Sequence, residues 1–385
     1  MKKVLVIHTN YREYGGEDVA VNNELNLLSR HFEVQKLIYN NSSRITLFDV
    51  LSFFLLSNRK SNRELIVKLR NFQPDIVYLH NTWFRASLGV FKILQKYNAK
   101  TLVKLHNFRY ECTRTYFSKK HLNGQSRCFA CGLEQKNIGY FNKYFDNSFI
   151  KSYFVTKYGK KYFKILKTYN IKILTLTKFQ KNSMIQLGID ETKIEVFPNF
   201  INLSKDSSIA KKLSQITYAG RVSREKGIEE LIKSFIDAEL DIVRLKIIGD
   251  GPLLSYLKRT YTSNKIDFLG QIDNESVLKI IQESQAVVTA TKLLEGQPTL
   301  LCEASSLGIP SIFPRSGGIS EFFPKNCKLS FEQFSYEDLT SKLKLLTDED
   351  LVKIEGENNS NYISNYLYEK EMVTRFTQIV KNIDE

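Results

Sequence analysis

Short apolar runs alternate with longer amphipathic stretches along this chain, and after a polar interruption the alternation starts again. Val4–Thr9, Ile76–His80, Thr101–His106 and Ile171–Thr177 read as buried strands. Between them lie helical stretches such as Asp18–Arg30, with apolar Val19, Leu25 and Leu28 among polar positions. Strand and helix in strict alternation predict a parallel sheet covered on both faces. The segment Asn202–Gln215, rich in Ser, Lys and Asp, reads as a linker. Beyond it the pattern restarts with strands at Ile216–Ala219, Leu245–Gly249, Ile266–Leu269, Ala286–Thr289 and Ser311–Phe313. Helices are expected at Ile228–Ala238 and Leu300–Leu307. At 385 residues the chain is long for one domain and natural for two. The predicted fold class is therefore α/β, two doubly wound domains, with ligands held at the carboxyl ends of their strands.

Charge divides the two halves. Residues 1–200 hold 33 Lys and Arg against 14 Asp and Glu, whereas residues 201–385 hold 23 against 27. A basic first half calls for an anionic partner: nucleic acid, anionic lipid or a phosphorylated substrate. The five cysteines do not form a secreted disulfide framework, and Met1-Lys2-Lys3 leads straight into the first strand. No run reaches the roughly 18 apolar residues of a spanning helix. The expectation is a cytoplasmic protein whose attachment to a membrane, if any, is peripheral.

Residue clusters that carry chemistry fall at strand ends. Glu295 and Glu303 stand eight positions apart in Glu295-Gly296-Gln297-Pro298-Thr299-Leu300-Leu301-Cys302-Glu303. A helix starting near Gln297 places Glu303 in its second turn and leaves Glu295 on the preceding loop. Both carboxylates can then address one ligand, with bare helix N–H groups between them. Upstream, Gly220-Arg221-Val222-Ser223-Arg224-Glu225-Lys226-Gly227 puts the cations Arg221 and Lys226 between a strand and a helix. Carboxylates for hydroxyls and cations for a diphosphate suit a nucleotide sugar. Gly15-Gly16-Glu17-Asp18 opens the first helix, where a tight turn meets free N–H groups. Gly249-Asp250-Gly251-Pro252 and Ser316-Gly317-Gly318 are turns at later strand ends.

Other clusters leave two readings open. His80 and His106 each close a strand, so each is either a site residue or a structural histidine. Cys112, Cys128 and Cys131, with His121 between them, have metal-like spacing. They are either a structural zinc site or free thiols in a loop. Lys151–Lys172 interleaves lysines with Tyr153, Phe154, Tyr158, Tyr162, Phe163, Ile165 and Leu166. That composition fits a helix on an anionic membrane surface, a helix packed on the core, or a nucleic-acid groove. Ile45–Leu56 is a second apolar candidate for such a surface.

Taken together, these residues resemble a retaining glycosyltransferase of family 4 with the GT-B fold, of the bacterial polysaccharide type. The resemblance runs over nearly the whole chain. Its carriers are Gly15-Gly16-Glu17-Asp18, His106-Asn107, Phe197-Pro198-Asn199, Gly220-Arg221 with Glu225-Lys226-Gly227, Gly249-Asp250-Gly251-Pro252 and the Glu295/Glu303 pair. It implies two facing Rossmann-like domains: residues 1–200 for acceptor and membrane, and 201–365 for the nucleotide sugar. A last segment, 366–385, returns to the first domain.

The resemblance also implies roles. Arg221 and Lys226 neutralise the donor diphosphate, and Glu303 takes the ribose hydroxyls. Glu295 binds the donor sugar, while His106 orients it. Gly15, Gly16, Gly249 and the backbone around Gln297, Pro298 and Thr299 complete the donor site. His80, Asn81, Lys157, Lys160 and Lys161 face acceptor and membrane. Many members have Gly-Phe-Gly after the first Glu, whereas this chain has Gly296-Gln297-Pro298-Thr299. That departure leaves the donor open among UDP-, GDP- and dTDP-sugars.

With cations taking the place of a metal, no divalent ion is expected. The implied reaction is transfer to a polyprenyl-diphosphate-linked acceptor on the inner face of the plasma membrane, in capsule, O-antigen or exopolysaccharide assembly. A sugar-nucleotide epimerase of the same fold is the nearest competing enzyme. A basic nucleic-acid-binding module would explain the charge of the first half but leave Glu295 and Glu303 without a purpose.

Overall fold

The computed structural model describes residues 1–11, 15–41, 46–108, 148–201 and 213–383. The chain divides into two compact units, one of Met1–Phe200 with Glu369–Glu385 and the other of Ile201–Tyr368.

In the first unit the elements run β1 (Lys3–Asn10), α1 (Gly16–Ser29), β2 (Glu33–Asn40), α2 (Leu47–Phe54), α3 (Arg59–Phe72), β3 (Ile76–Leu79), α4 (Gly89–Lys96) and β4 (Thr101–Leu105). They continue with α5 (Phe149–Thr168), β5 (Lys172–Thr175), α6 (Lys178–Gln186) and β6 (Ile194–Val196). The six described strands form one sheet in the order β2-β1-β3-β4-β5-β6, and every pairing is parallel. Val4, Leu5, Ile7, Val77, Leu79, Leu102 and Val103 are sealed between helices, as strands covered on both faces require. The strand order reverses between β1 and β3, a topological switch point that opens a crevice at their carboxyl ends.

The second unit runs β7 (Gln215–Ala219), α7 (Ile228–Asp237), β8 (Arg244–Ile248), α8 (Leu254–Thr260), β9 (Ile266–Gly270), α9 (Asn274–Gln282), β10 (Ala286–Val288) and α10 (Thr299–Ser306). It ends with β11 (Ser311–Arg315), β12 (Ser330–Glu332), α11 (Tyr336–Lys344) and α12 (Glu349–Tyr366). Its sheet, again parallel, is ordered β12-β11-β10-β7-β8-β9, and its switch point lies between β7 and β10. The core gathers Ile216, Leu231, Phe235, Leu245, Ile247, Val288, Ile312, Leu339 and Leu343.

The last helix, α13 (Glu369–Lys381), belongs to the first unit. Its Phe376 is fully buried against the rings of Phe32, Tyr78 and Phe197, with centroids 5.4, 5.4 and 5.7 Å away. Aromatic packing of this kind adds to the burial term.

The helix α5 divides the readings open to it between its faces. Val155, Tyr158, Tyr162, Ile165 and Leu166 recur at helical spacing and are all buried, so this face is core, whereas Tyr153 is exposed and Phe154 and Phe163 are half-buried. Tyr158 stacks on Phe53 with centroids 5.8 Å apart and meets Trp83 edge-on at 4.8 Å. The lysines lie on the other side: Lys157 and Lys160 are exposed and Lys161 half-buried.

Candidate functional site

Each switch point holds a cluster of polar residues. In the second unit the cluster begins with two glycine contacts. Gly249 follows β8 at φ +125°, and a Cβ there would stand 2.0 Å from the Gly220 carbonyl oxygen beyond β7. Gly227 ends the short turn Arg224–Lys226 at φ +68°, and its Cβ would stand 2.0 Å from the Ala290 carbonyl oxygen beyond β10. Only glycine allows such backbone-to-backbone approach. The second contact presses the Lys226 turn onto the end of β10 and brings Lys226 to Glu295, 69 residues away.

Lys226 Nζ donates to Glu295 Oε1 at 2.6 Å, and Thr291 Oγ1 donates to the same oxygen at 2.9 Å. The two charged side chains are 29 and 26% exposed. Burial pushes the Glu295 carboxyl up, but the Lys226 ammonium and the two hydrogen bonds outweigh it and hold the group ionised, below its usual range. The Gly318 N–H donates to the Glu295 carbonyl at 2.9 Å, so the loop after β11 braces the same residue. Gln333 Nε2 holds the intervening loop through the carbonyls of Thr291 and Leu293 at 3.2 and 3.1 Å. Neither Thr291 nor Gln333 stands out in the sequence. Each is a lone polar residue whose partner is chosen by the fold.

Glu303 has a different environment. It lies in the second turn of α10, which begins at Thr299, two residues later than the sequence spacing predicts. With no cation opposing it among the described residues, burial raises its carboxyl to about 7. The start of α10 carries no side-chain cap, Pro298 stands at the cap position, and Gln297 is buried. Arg221 is exposed just past β7 and makes no ion pair among the described residues, so its guanidinium can meet an incoming anion.

The first unit gathers three of the chain's five histidines at the ends of β1, β3 and β4. His80 Nδ1 and His106 Nε2 are 2.8 Å apart, with stacked rings at 5.1 Å. His8, buried in β1, meets His80 edge-on at 6.1 Å and bonds Asp18 Oδ1 of α1 at 2.9 Å. Burial is the largest influence holding His80 and His106 well below the usual imidazole range. For His80 the neighbouring His106, His8 and Lys104 add to it, and for His106 Lys104 and His8 do. Both are neutral at pH 7 and therefore offer hydrogen bonds, not charge.

Beneath them Lys104 is buried against Glu24, donates to the Pro198 carbonyl at 3.0 Å and lies over the Phe197 ring. Tyr78 Oη donates to Glu24 Oε2 at 2.7 Å. This charged underlay is invisible in the sequence, because Lys104, like His8, sits inside an apolar strand and Glu24 reads as one more polar position of an amphipathic helix.

A pocket opens over the pair, lined by Glu17, Trp83, Asn107 and Tyr158 with His80 and His106. Asn81 braces its wall: Nδ2 donates to the Thr9 carbonyl at 2.8 Å, and Oδ1 accepts from Trp83 N at 2.8 Å. The loop beyond carries Phe84 at φ +75° and Ser87 at φ +61°, strained conformations for side-chain-bearing residues. Gly15 caps α1, its N–H bound to Asp18 Oδ2 at 2.9 Å, and open space surrounds Gly16. Cys112, His121, Cys128 and Cys131 lie outside the described residues. Among the described residues no group of three or more His, Cys, Asp or Glu is arranged to hold a metal, and no helix is long and apolar enough to cross a membrane.

Residues 199–366 match the family described as "Glycosyl transferases group 1". The second unit is a group 1 glycosyltransferase domain. An uncharacterized glycosyltransferase of Methanocaldococcus jannaschii is 24% identical to the chain over 228 residues, covering 55% of this chain and 58% of that protein. TuaC of Bacillus subtilis, a putative teichuronic acid biosynthesis glycosyltransferase, is 30% identical over 182 residues, covering 47 and 42%. The chain thus spans about half the length of the curated relatives it matches. HepE of Anabaena, solved with UDP and glucose, superposes with a TM-score of 0.69 at 13% identity over 99% of this chain and 100% of its own. The fold is that of the GT-B glycosyltransferases, two Rossmann-like units of six parallel strands each. Lys226, Glu295 and Glu303 all belong to the group 1 domain.

Proposed function

We propose that the whole chain is a retaining, metal-independent glycosyltransferase. It moves a sugar from a UDP-, GDP- or dTDP-sugar to a polyprenyl-diphosphate-linked acceptor. The observation that carries this reading is the Lys226–Glu295 pair at the switch point of a group 1 domain, with Arg221 exposed at the end of β7. Lys226 and Arg221 face the diphosphate, and Glu303 takes the ribose hydroxyls. Glu295 and backbone N–H groups near Gln297–Thr299 hold the sugar. The bond from the anomeric carbon to the diphosphate oxygen breaks, and the cations stabilise the departing charge. The acceptor oxygen bonds to the same face of that carbon, and its proton passes to the leaving diphosphate. His106, neutral and backed by His80, hydrogen-bonds the sugar. The pocket beside it receives the acceptor hydroxyl, with Asn81 shaping its wall.

The likeness to TuaC, a putative teichuronic acid biosynthesis glycosyltransferase, supports a place in surface-polysaccharide assembly, here capsule, O-antigen or exopolysaccharide. The basic first half supports work at the anionic inner face of the plasma membrane, with Lys157, Lys160 and Lys161 toward the lipid. The test is a thermal-shift panel of UDP, GDP and dTDP with their sugar conjugates, in chelator, followed by a transfer assay with the active conjugate. One base raising the midpoint, with transfer to a prenyl-linked glycan and retained anomeric configuration, is the expected result. Epimerised donor without any acceptor product would overturn it in favour of an epimerase.

A further inference from the structure

The exposed apolar residues of the first unit are concentrated on two helices. On α2 and the residue after it, Phe48, Leu51 and Leu55 are 50, 50 and 75% exposed. Their i, i+3, i+7 spacing makes them one stripe. At the start of α5, Ile150 is 68% exposed, and Phe149 and Tyr153 are nearly half exposed. The two helices touch where Phe54 lies on Phe154, ring centroids 4.0 Å apart. Phe54 is one turn from Leu51, and Phe154 one turn from Ile150, so the two stripes join into a single patch.

Cations border the patch. Lys157 Nζ stands 5.8 Å from the Phe154 centroid. From there Lys157, Lys160, Lys164 and Lys167 run exposed along α5, a helix with no acidic residue. On α2, Asp49 is bound to Arg85 at 3.2 Å and to its own N-cap, Thr46.

We infer that the joined faces of α2 and α5 insert into an anionic lipid bilayer. Phe48, Leu51, Leu55 and Ile150 enter the acyl boundary, the Phe54–Phe154–Tyr153 rings sit at the interface, and the α5 lysines lie among head groups. A protein partner fits less well, because protein interfaces are depleted in lysine. The inference deepens the proposed function by supplying the surface from which a lipid-linked acceptor is taken, but its test needs neither donor nor acceptor.

The test is flotation of the whole protein with phosphatidylglycerol-containing vesicles and with phosphatidylcholine vesicles, at low and high salt. Binding to anionic vesicles that weakens with salt is expected, because the lysine contribution is screened. L51E/L55E should lower the apparent partition coefficient at least about tenfold at both salt concentrations. K160Q/K164Q should lower it several-fold at low salt only. L51S/L55S, checked for an unchanged thermal midpoint, separates lost insertion from lost folding. No binding to either vesicle, or binding indifferent to Leu51 and Leu55, would overturn the inference. Concentration-dependent self-association abolished by L51E/L55E, without vesicle binding, would assign the patch to a second copy and also overturn it. Loss of transfer to a water-soluble acceptor with flotation intact would count against the proposed reaction and not against the docking surface.

Discussion

Glu295→Gln should separate nucleotide binding from transfer, because Glu295 engages the cation assigned to the diphosphate. Without ligand, Lys226 donates to Glu295 at 2.6 Å. A charge-assisted hydrogen bond contributes roughly 1.5–3 kcal/mol. Both side chains are a quarter or more exposed, so solvent screening brings this nearer to about 1 kcal/mol. A nucleoside diphosphate must displace that bond and accept the repulsion of a nearby carboxylate. The amide removes the repulsion and weakens the Lys226 bond by taking away the acceptor's charge, while keeping shape and an acceptor for Thr291. Calorimetry on Glu295→Gln should therefore show the nucleoside diphosphate bound about fivefold tighter than by wild type, since 1.4 kcal/mol is a factor of ten. Transfer, which in the proposed reaction uses the carboxylate at the sugar hydroxyls, should fall on the order of a hundredfold or more. Nucleotide binding weakened tenfold, or turnover near wild type, would refute the assignment of Lys226 to the phosphates and Glu295 to the sugar.

Other outcomes follow from the same geometry. Because the Glu303 carboxyl is raised to about 7 in the folded state, its stabilising effect is full below its unfolded value near 4.5 and is lost as pH rises through about 7. Urea melts at pH 5 and 8 should show wild type losing up to about 3 kcal/mol more than Glu303→Gln across that interval, and equal slopes would refute it. Gly249→Ala meets the Gly220 carbonyl and a disfavoured φ, so it should lose at least about 2–3 kcal/mol, read as a fall of roughly 5–10 °C in Tm. A tolerated alanine would mean that the two loops can part. His106→Gln should cut kcat by roughly a hundredfold with donor Kd little changed. Since the native imidazole is already neutral, the wild-type rate should show no titration of this group between pH 7 and 9.

Much of the fold is legible in the sequence because the central strands are continuous apolar runs buried on both faces. The strands that escape such a reading are edge or near-edge pieces. β2 reads Glu33-Val34-Gln35-Lys36 and onward and buries only Tyr39, while β6 and β12 have three residues each. A strand that faces solvent carries no apolar signature.

The clusters at strand ends could be found as patterns, but their pairing could not. Nothing in the spacing of Lys226 and Glu295 states that Gly227 will press on Ala290 and join them. His8 sits within Val-Leu-Val-Ile-His and looks like strand, and only the placement of α1 gives it Asp18. The basic-aromatic helix is only half legible. Its lysine density is conspicuous, whereas Tyr158 is covered by Phe53 and Trp83 and Tyr162 by Phe91, all from distant segments.

The glycine contacts at Gly227 and Gly249 also limit how this domain can diversify. Each leaves a gap filled by another loop's carbonyl, with no room even for a methyl group. Mutation therefore has little to explore in the loops that set the Lys226 turn and the end of β8. On the proposed reading, new sugar preferences are left to Gln297, Pro298 and Thr299 at the start of α10, outside the glycine contacts. A library aimed at changing the donor belongs on those three positions, with the glycine frame left untouched as the part every variant inherits.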